Sequence, residues 1–548
     1  VPDEAMPDED KMNLGKIYHM GKEEAAGLLL NRQAMASHTF ITGSTGTGKS
    51  NAVYHLLDEI TKNGQTTFLV VEPAKGEYKN VFGNCTDVQV FGTNPRETPL
   101  LRMNPFAFPE NIHILEHIDR LVEIFNACWP MYAAMPAVLK DAIERSYQKV
   151  GWDLRNSESE KGVFPTFFDL LDILPGVIEE SHYSKDTQSD YVGALCTRVK
   201  SLKNGIYGSV LCAEDALTDE ALFDRNVIVD LSRVGSMETK SLLMGILVMK
   251  LQEYRMCSSG MNSRLRHVTV LEEAHNLLRK TSAEQSQEGA NLQGKSVEML
   301  ANAIAEMRTY GEGFIIADQA PGLLDMSVIR NTNTKIILRL PDEEDRKLVG
   351  KSAALKEAQI DELSKLPLGV AAVYQNEWPE AVLCKIEAYP MPENAVYHKP
   401  SKMPHEINAE FVFGQLAVGK ELEPLSSSEM EQLKLWLKRH ETVLKPEDSR
   451  YLERVFAGGE LDVAKTRKAV FDFFGGIGTV VDYCAAAKKS LTPRKEFLEQ
   501  LQGQYGLKAA AADWVLNSVI SMGMSLNPDA KAVDNLRTNF EQQGGRVL

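Results

Sequence analysis

The chain has 548 residues, which is enough for several domains of ordinary size and for a large buried core. Hydrophobic residues make up 43% of the chain and charged residues 25%, which excludes a globally disordered or fibrous protein. There are 60 Lys and Arg residues against 76 Asp and Glu residues, so the formal net charge is −16. A protein this acidic does not coat nucleic acid with its whole surface, so a nucleic-acid function needs positive charge confined to a groove or pore.

The cysteines and the apolar runs indicate the cellular compartment. The 7 cysteines are scattered without a C-x-x-C pair, which is typical of a reducing compartment. The longest strongly apolar run, residues 242–248, is far shorter than the ~20 residues of a membrane span, and no signal peptide opens the chain. We therefore expect a cytoplasmic protein with no membrane partner. The chain begins at Val1 in an acidic stretch, and we expect further sequence upstream.

Short apolar runs alternate with helical patterns from residue 16 onwards. Buried runs that do not alternate with polar residues, separated by helices, are typical of a parallel sheet covered on both faces. We predict an α/β fold with a mainly parallel sheet, whose strands comprise residues 39–42, 67–71, 227–230, 268–271, 313–317 and 335–340. Residues 369–375 and 381–386 are predicted to close this region as a hairpin.

Two segments depart from this alternation. Residues from about 110 to 205 show helical periodicity and no convincing strand, which predicts a helical insertion in the sheet domain. After residue 398 a linker leads into helical patterns at residues 430–440, 465–474, 494–502 and 510–522. The predicted organisation is therefore a sheet domain over residues 1–398 and a small C-terminal helical domain over residues 399–548.

A phosphate-binding loop is the most specific signal in the sequence. Residues 43–50, GSTGTGKS, fit G-x-x-x-x-G-K-[ST] and lie between a predicted strand and a helix predicted at residues 51–61. Glycines let backbone N–H groups converge on a phosphate, and a helix N-terminus adds partial positive charge. Lys49 is predicted to contact the β- and γ-phosphates, and Ser50 to ligate Mg²⁺. The predicted nucleotide-binding residues are Gly43, Ser44, Thr45, Gly46, Thr47, Gly48, Lys49, Ser50 and Asn51.

Two adjacent glutamates end the strand predicted at residues 268–271. A P-loop enzyme needs one acidic group near Mg²⁺ and another that orients and deprotonates the attacking water. We assign Glu272 to the metal and Glu273 to the water, as general base. Two solvated glutamates at a helix start are the alternative. His275 is expected to pack against a helix or to hydrogen-bond to the site rather than to bind a metal.

Polar residues at the next strand end and three arginines complete the candidate set. Gln319 can hydrogen-bond to the γ-phosphate or to the water, although a polar residue where a strand meets solvent is the ordinary alternative. Asp318 has no assigned role. Arg308, Arg339 and Arg346 would be surface arginines in an isolated enzyme, but in a ring one of them can reach the neighbouring γ-phosphate as an arginine finger.

Together these motifs resemble the HerA/FtsK superfamily of ring-forming, DNA-pumping ATPases, and its HerA-like branch in particular. The resemblance extends over roughly residues 14–387. The matching segments are residues 38–50, 70–78, 271–276, 308–319, 331–339 and 345–346.

The resemblance implies a RecA-like core, a hexameric ring, ATP hydrolysis between subunits with Mg²⁺, and a central channel for duplex DNA. It makes Lys49 and Ser50 the phosphate and magnesium contacts, and Glu273 the catalytic base. It also makes Gln319 the sensor and Arg308 the preferred trans-acting arginine. Glu72 departs from the family pattern, which commonly has Asp there and one residue fewer before Gly-Glu-Tyr. The family's small N-terminal β-barrel is not predicted in the ~40 residues before the phosphate loop, so we expect that domain to be missing.

Three functions are compatible with these motifs. The first is a ring-forming ATPase that couples hydrolysis to DNA translocation or unwinding. The second is a nucleotide-gated scaffold that assembles or activates a partner effector such as a nuclease, because HerA-like ATPases also occur beside such effectors in bacterial antiviral systems. The third is a secretion or conjugation motor, although such coupling proteins usually carry N-terminal membrane helices.

Two weaker signals remain. His113, Glu116 and His117 fit H-x-x-E-H on a helical stretch, which would put both histidines on one face, but no third metal ligand is apparent. The polar segment 279–289, with Lys295 beyond it, is either an ordinary solvated loop or the surface that faces DNA in a pore.

Overall fold

The computed structural model describes residues 6–399 and 445–547, apart from residues 133, 160–161, 182, 214–215, 282–288, 377, 392–394, 457–461, 491 and 506–508. The chain divides into two compact units. The first comprises Val1–Glu160 and Phe164–Lys399, and the second comprises Lys161–Val163 and Pro400–Leu548.

A single large sheet organises the first unit. In chain order the strands are β1 (Lys11–His19), β2 (Lys22–Asn31), β3 (Thr39–Thr42), β4 (Thr67–Glu72), β5 (Val88–Gly92), β6 (Trp152–Asp153), β7 (Glu158–Ser159), β8 (Asn226–Asp230), β9 (His267–Glu272), β10 (Glu312–Asp318), β11 (Thr334–Ile337), β12 (Val370–Gln375) and β13 (Val382–Ile386). All except β6 and β7 belong to an 11-stranded sheet with the order β2-β1-β13-β12-β11-β3-β10-β9-β4-β8-β5.

The pairing within the sheet is parallel from β11 to β5. Strands β12, β13, β1 and β2 extend it by antiparallel pairing. Strands β3, β8, β9, β10 and β11 are buried along their whole length, which explains why their sequences are rich in apolar residues and do not alternate regularly with polar ones. The predicted mainly parallel α/β sheet and its closing hairpin, β12–β13, are confirmed.

Helices cover both faces of this sheet. They are α1 (Lys49–Thr61), α2 (Tyr78–Phe82), α3 (Ile114–Cys128), α4 (Met135–Lys149), α5 (Phe167–Glu180), α6 (Lys185–Tyr191), α7 (Thr197–Lys203), α8 (Gly205–Leu211), α9 (Asp219–Phe223), α10 (Met237–Ser258), α11 (Gly289–Glu306), α12 (Met326–Arg330), α13 (Glu343–Ser352) and α14 (Glu357–Glu362). One apolar core joins α10 and the helices between β5 and β8 to the sheet. The other joins α1 and the β1–β2 hairpin to the opposite face.

The observed strands differ from the predicted ones at three places. The β1–β2 hairpin was not predicted, because the first 5 residues of β2, KEEAA, are exposed and show no apolar alternation. Strand β5 was also missed. The strand predicted at residues 335–340 ends at Ile337, so Arg339 follows the strand rather than lying on it.

The segment between β5 and β8 forms the predicted helical insertion, α3 to α9. It packs around buried aromatic residues that include Phe125, Trp129, Tyr147 and Phe167. The expectation that it contains no strand is wrong in one detail, because β6 and β7 form a short antiparallel hairpin.

The H-x-x-E-H pattern does not form a metal site. His113 is the N-cap of α3, where its Nδ1 accepts the Leu115 N–H, so it precedes the helix instead of sharing a face with His117. His117 is fully buried, and its Nδ1 lies 3.0 Å from the Glu253 carboxylate.

The second unit is helical where it is described. Its helices are α15 (Pro446–Phe456), α16 (Val463–Phe473), α17 (Gly476–Ala487), α18 (Pro493–Tyr505), α19 (Ala509–Leu526) and α20 (Ala530–Gln542). Three predicted helices correspond to α16, α18 and α19, and the helix predicted at residues 430–440 lies outside the described residues. The unit has its own apolar core, which includes Leu452, Phe473, Tyr483, Leu516 and Phe540.

Within the described ranges, no individual helix combines the length and apolar character that crossing a membrane requires. A pair of helical segments, Ala464–Phe473 and Gly476–Ala487, satisfies the same criteria only when taken together, and it is bent by 64°.

The attachment of β1 to β13 depends on a glycine. Gly15 has φ +148°, and a Cβ atom there would lie 2.2 Å from the Lys385 carbonyl oxygen. We predict that Gly15→Ala lowers the free energy of unfolding by about 2 kcal/mol more than Gly21→Ala does. Gly21 is a matched control, because it also has a positive φ of +79° but nothing lies within 4 Å of the added atom. Equal losses in urea unfolding would contradict this account of the hairpin.

Candidate active site

The carboxyl ends of four neighbouring strands meet at one edge of the sheet. Thr42 at the end of β3 is in register with Asp318 at the end of β10, and Ala317 is in register with Glu272 at the end of β9. Strand β4, which ends at Glu72, pairs with the other side of β9. Parallel sheets place ligands at this edge, and the phosphate loop, the paired glutamates and Gln319 all lie here.

The phosphate loop is shaped to receive an anion. Gly46 and Gly48 have φ values of +76° and +104°, which other residues rarely adopt. Gly48 is the N-cap of α1, and no side chain caps the helix. The first N–H groups of the helix have no carbonyl acceptor within it, so they are available to a phosphate together with the positive end of the helix dipole.

Lys49, the first residue of α1, points into a buried cluster of carboxylates. Its Nζ lies 2.5 Å from Glu272 Oε2 and 4.0 Å from Glu273 Oε1. The other Glu272 oxygen accepts a hydrogen bond of 2.6 Å from the Tyr78 hydroxyl. Sequence reasoning did not find this tyrosine contact, although Tyr78 belongs to the Gly-Glu-Tyr motif.

Gln319 links the phosphate loop to the predicted general base. Its Nε2 donates to Glu273 Oε1 at 2.5 Å, and its Oε1 accepts from the Thr45 hydroxyl at 2.7 Å. Glu273 itself has φ +46° and ψ +49°, a left-handed conformation that turns the chain sharply after β9. Strained backbone of this kind occurs at functional sites, where the surrounding structure enforces it.

His275 and Asp318 support this turn. Asp318 is fully buried, and its Oδ2 accepts from both the backbone N–H and the Nδ1 of His275 at 2.9 Å. His275 Nδ1 also lies 3.6 Å from Glu273 Oε2. The hydrogen bond to Asp318 raises the pKa of His275, which favours a protonated ring between the two carboxylates. Asp318, unassigned from the sequence, therefore anchors the strand-end turn.

Glu72 closes the loop between β4 and α2 back onto the strand end. Its two oxygens accept the backbone N–H groups of Glu77 and Tyr78 at 2.8 and 3.1 Å. Burial raises the pKa of Glu72 to about 7, against the lowering effect of these two hydrogen bonds. This residue holds the Gly-Glu-Tyr motif beside the site.

Two cavities flank the phosphate loop. The first is lined by Lys49, Ser50, Glu72, Ala74, Lys75, Glu77, Tyr78, Glu272 and Glu273. The second, of about 300 Å³, is lined by Ser44, Thr45, Gly46, Gly48, Lys49, Ser50, Asn51, Lys75, Gln319 and Leu368. Among the described residues, the lining of both cavities includes lysines but no arginine.

The residues around the first cavity suit Mg²⁺. Ser50 and Glu272 would hold the ion, because hydroxyl and carboxylate oxygens are the ligands that Mg²⁺ prefers and both side chains line this cavity. When bound, Mg²⁺ neutralises charge on the phosphates. Glu273, assigned from the sequence as the general base, would accept the proton of a water, and its hydrogen bond from Gln319 restrains the direction of its carboxylate.

The three candidate arginines lie in different places. Arg308 is exposed in the turn Met307–Tyr310, which precedes the amino end of β10. Strand β10 has 7 residues and spans roughly 20 Å, so Arg308 lies at the opposite edge of the sheet from Gln319. Arg339 is exposed, and it lies near the phosphate loop because its carbonyl accepts the Ser44 N–H. The Arg346 guanidinium donates to the Leu340 and Pro341 carbonyls.

Comparison with known proteins identifies relatives of the first unit. The family model described as "Helicase HerA, central domain" matches residues 12–250. A DNA double-strand break repair helicase HerA of Sulfolobus acidocaldarius is 25% identical over an alignment of 393 residues, which covers 69% of this chain and 69% of the relative. A probable helicase of Methanocaldococcus jannaschii is 23% identical over an alignment of 418 residues, which covers 69% of this chain and 72% of the relative.

A solved structure shares the fold. The structure of VirB4 of Thermoanaerobacter pseudethanolicus superposes with a TM-score of 0.52 at 17% identity, covering 70% of this chain and 98% of VirB4.

A phosphate loop, paired glutamates and a strand-end glutamine at one edge of a parallel sheet define a P-loop nucleoside triphosphatase with a RecA-like core. The family match and the relatives support a HerA/FtsK-type ATPase. The resemblance stated from the sequence and the prediction of an ATP-hydrolysing enzyme are both confirmed.

Substitutions of Lys49 and Glu273 are expected to affect different steps, ATP binding and ATP hydrolysis respectively. We predict that Lys49→Ala abolishes ATP binding, because it removes the cation that the helix start presents to the phosphates. Glu273→Gln is expected to retain ATP and to lower kcat by about 100-fold or more, because the amide cannot accept the proton. Glu179→Gln, an exposed carboxylate of the insertion, is the control for the same chemical change. Equal nucleotide binding by wild type and Lys49→Ala, measured by calorimetry, would contradict the site assignment.

The buried Glu72 predicts a pH dependence of stability. Its pKa in the folded chain, about 7, lies above its ordinary value of 4.5, so its contribution to stability is full below about pH 4.5 and is lost as the pH rises through 7. We predict that the free energy of unfolding falls more steeply between about pH 4.5 and 7 in wild type than in Glu72→Gln, which does not titrate. Parallel curves for the two proteins in urea unfolding would show that Glu72 ionises normally.

Proposed function

We propose that this ATPase moves along duplex DNA, or unwinds it, as a hexameric ring with DNA in a central channel. The proposal rests on the charged residues at the nucleotide site, where one chain supplies lysines but no arginine among the described residues. The two cavities offer Lys49 and Lys75, and among the described residues no arginine lines either of them. The curated relative from Sulfolobus acidocaldarius is a DNA repair helicase, which supports the same function here.

A neighbouring subunit can supply the missing arginine. Phosphoryl transfer in P-loop enzymes is accelerated ~10³–10⁵-fold by an arginine that neutralises the transition state. Arg308 is exposed at the edge of the sheet opposite the phosphate loop, so it cannot serve the site of its own chain. In a closed ring of head-to-tail contacts, one edge of each subunit faces the other edge of the next. This arrangement brings Arg308 to the neighbouring γ-phosphate.

The segment that follows Glu273 connects hydrolysis to the DNA surface in this proposal. Arg279 and Lys280 are both exposed and begin the polar segment that faces DNA in this proposal, whose residues 282–288 lie outside the described residues. The Lys280 N–H donates to the Leu323 carbonyl, and the Asp325 N–H donates to the Leu278 carbonyl. The chain after Glu273 is thereby joined to the chain after Gln319. A change at either strand end is transmitted to these exposed cations.

The distribution of charge along the chain is consistent with DNA contacts confined to a channel. The net charge of −16 excludes broad electrostatic coating of DNA, but a channel needs basic residues only on its inner segments. Arg279, Lys280 and Lys295 are exposed cations on either side of residues 282–288. An acidic exterior would limit binding of DNA outside the channel.

The direct test is the ATPase rate with and without duplex DNA, together with displacement of a third strand from a triplex. We expect DNA to stimulate hydrolysis several-fold and the wild type, but not Glu273→Gln, to displace the strand. The alternative is a scaffold that assembles or activates a partner effector such as a nuclease. A rate that DNA leaves unchanged, but that a partner effector alters, would overturn translocation and support the scaffold.

The origin of the arginine is tested by mixing variants. We predict that Arg308→Ala and Glu273→Gln are each inactive, and that co-expressed mixed particles purified through two different tags regain hydrolysis. Recovery is expected because one interface of the mixed particle combines an intact Glu273 with an intact Arg308. Arg339→Ala and Arg346→Ala in place of Arg308→Ala serve as comparisons. No recovery in any mixed particle would show that the arginine acts within its own chain.

A further inference from the structure

We infer that Lys75 is a second cation for the nucleotide and contacts its γ-phosphate. Lys75 belongs to the loop between β4 and α2, outside the phosphate loop itself. It lines both cavities that flank the phosphate loop, a property it shares with Lys49 and Ser50. The inference rests on the ATPase site and does not depend on movement along DNA.

The charged side chains around the first cavity are mainly carboxylates and those around the second are lysines, and Lys75 belongs to both linings. The first cavity has four carboxylates in its lining, those of Glu72, Glu77, Glu272 and Glu273. In the second cavity every charged side chain is a lysine, and the rest of the lining consists of glycines, uncharged polar residues and Leu368. An acidic side suits a metal ion, and a cationic side suits phosphate oxygens. Lys75 stands at the boundary between them, where a metal-bound triphosphate places its terminal phosphate.

The loop that carries Lys75 is held rigidly at both sides. The Glu72 carboxylate accepts the N–H groups of Glu77 and Tyr78, and the Tyr78 hydroxyl donates to Glu272. Gly76, next to Lys75, has φ +68°, and a Cβ there would lie 2.9 Å from the Ser232 hydroxyl oxygen. The loop is thus fixed between the ends of β4 and β9, so the position of the Lys75 backbone is set before a nucleotide binds.

Among the described residues, the Lys75 ammonium group makes only a weak ion pair, with Glu77. The Glu77 carboxylate lies 3.9 Å away, and both side chains are about half exposed, at 49% and 50%. An exposed pair at that distance contributes little to stability, so a phosphate can replace the carboxylate at small cost. The Lys49 ammonium, by contrast, is buried and lies 2.5 Å from Glu272.

The γ-phosphate is the expected partner because of the residues that share each cavity with Lys75. Glu273 lines the first cavity and Gln319 the second, and these two side chains are hydrogen-bonded to each other at 2.5 Å. The reacting phosphate must lie beside the general base. Because Lys75 lines the cavities of both side chains, it is placed to contact the terminal phosphate, and ADP, which lacks that phosphate, makes no such contact.

The test compares binding of ATPγS and ADP, each with Mg²⁺, by calorimetry on the full chain. We expect Lys75→Ala to weaken ATPγS binding by about tenfold or more and to leave ADP binding within about twofold of wild type. Lys75→Arg should recover part of the loss, because it keeps the charge. Lys140→Ala is the control: this lysine of the insertion is 40% exposed and pairs with one carboxylate, that of Asp119.

Two results would overturn the inference. Unchanged ATPγS affinity in Lys75→Ala would show that the side chain does not touch the nucleotide. Equal losses for ATPγS and ADP, without recovery in Lys75→Arg, would show that the substitution disturbs the loop rather than a γ-phosphate contact. Failure of DNA to stimulate the wild-type ATPase would contradict the proposed translocation but would leave these binding results unaffected.

Discussion

Parallel pairing of β3, β10, β9 and β4 in a fixed register places the ends of four strands side by side at one edge of the sheet. Because side chains of adjacent strands at the same level lie about 5 Å apart, residues distant in sequence become hydrogen-bonding neighbours. Thr45, Gln319 and Glu273 are joined in this way, and so are Lys49, Glu272 and Tyr78. A slip of one residue in this register would turn Glu272 to the other face of the sheet.

The same parallel register also separates the groups that the reaction needs. Lys49, Glu273 and Gln319 lie at the carboxyl edge, whereas Arg308 precedes β10 and lies at the amino edge. One chain therefore cannot bring both ends of the sheet to one phosphate, and a second chain placed edge to edge can. In the proposed ring, this separation is a physical reason for subunits to meet edge to edge, and in the proposed role of Lys75 each chain supplies that second cation to its own site.

Much of the fold and part of the site could be predicted from the sequence. Apolar runs such as residues 268–271 are unambiguous because both faces of their strands are buried. The β1–β2 hairpin could not be predicted, because the exposed start of β2 has no apolar periodicity and the hairpin is specified by pairing with β13 far along the chain. The Tyr78–Glu272 bond and the Asp318–His275 pair were missed for the same reason, since tertiary proximity alone makes them partners.

The most direct measurement is a structure of the assembled particle with ADP, beryllium fluoride and Mg²⁺, determined by electron cryo-microscopy. We predict that the beryllium fluoride, which occupies the place of the γ-phosphate, lies between Lys49, Lys75 and Glu273 of one subunit and the Arg308 guanidinium of the next. An arginine from the same chain at the fluoride, or a particle whose sites contain no arginine at all, would contradict it.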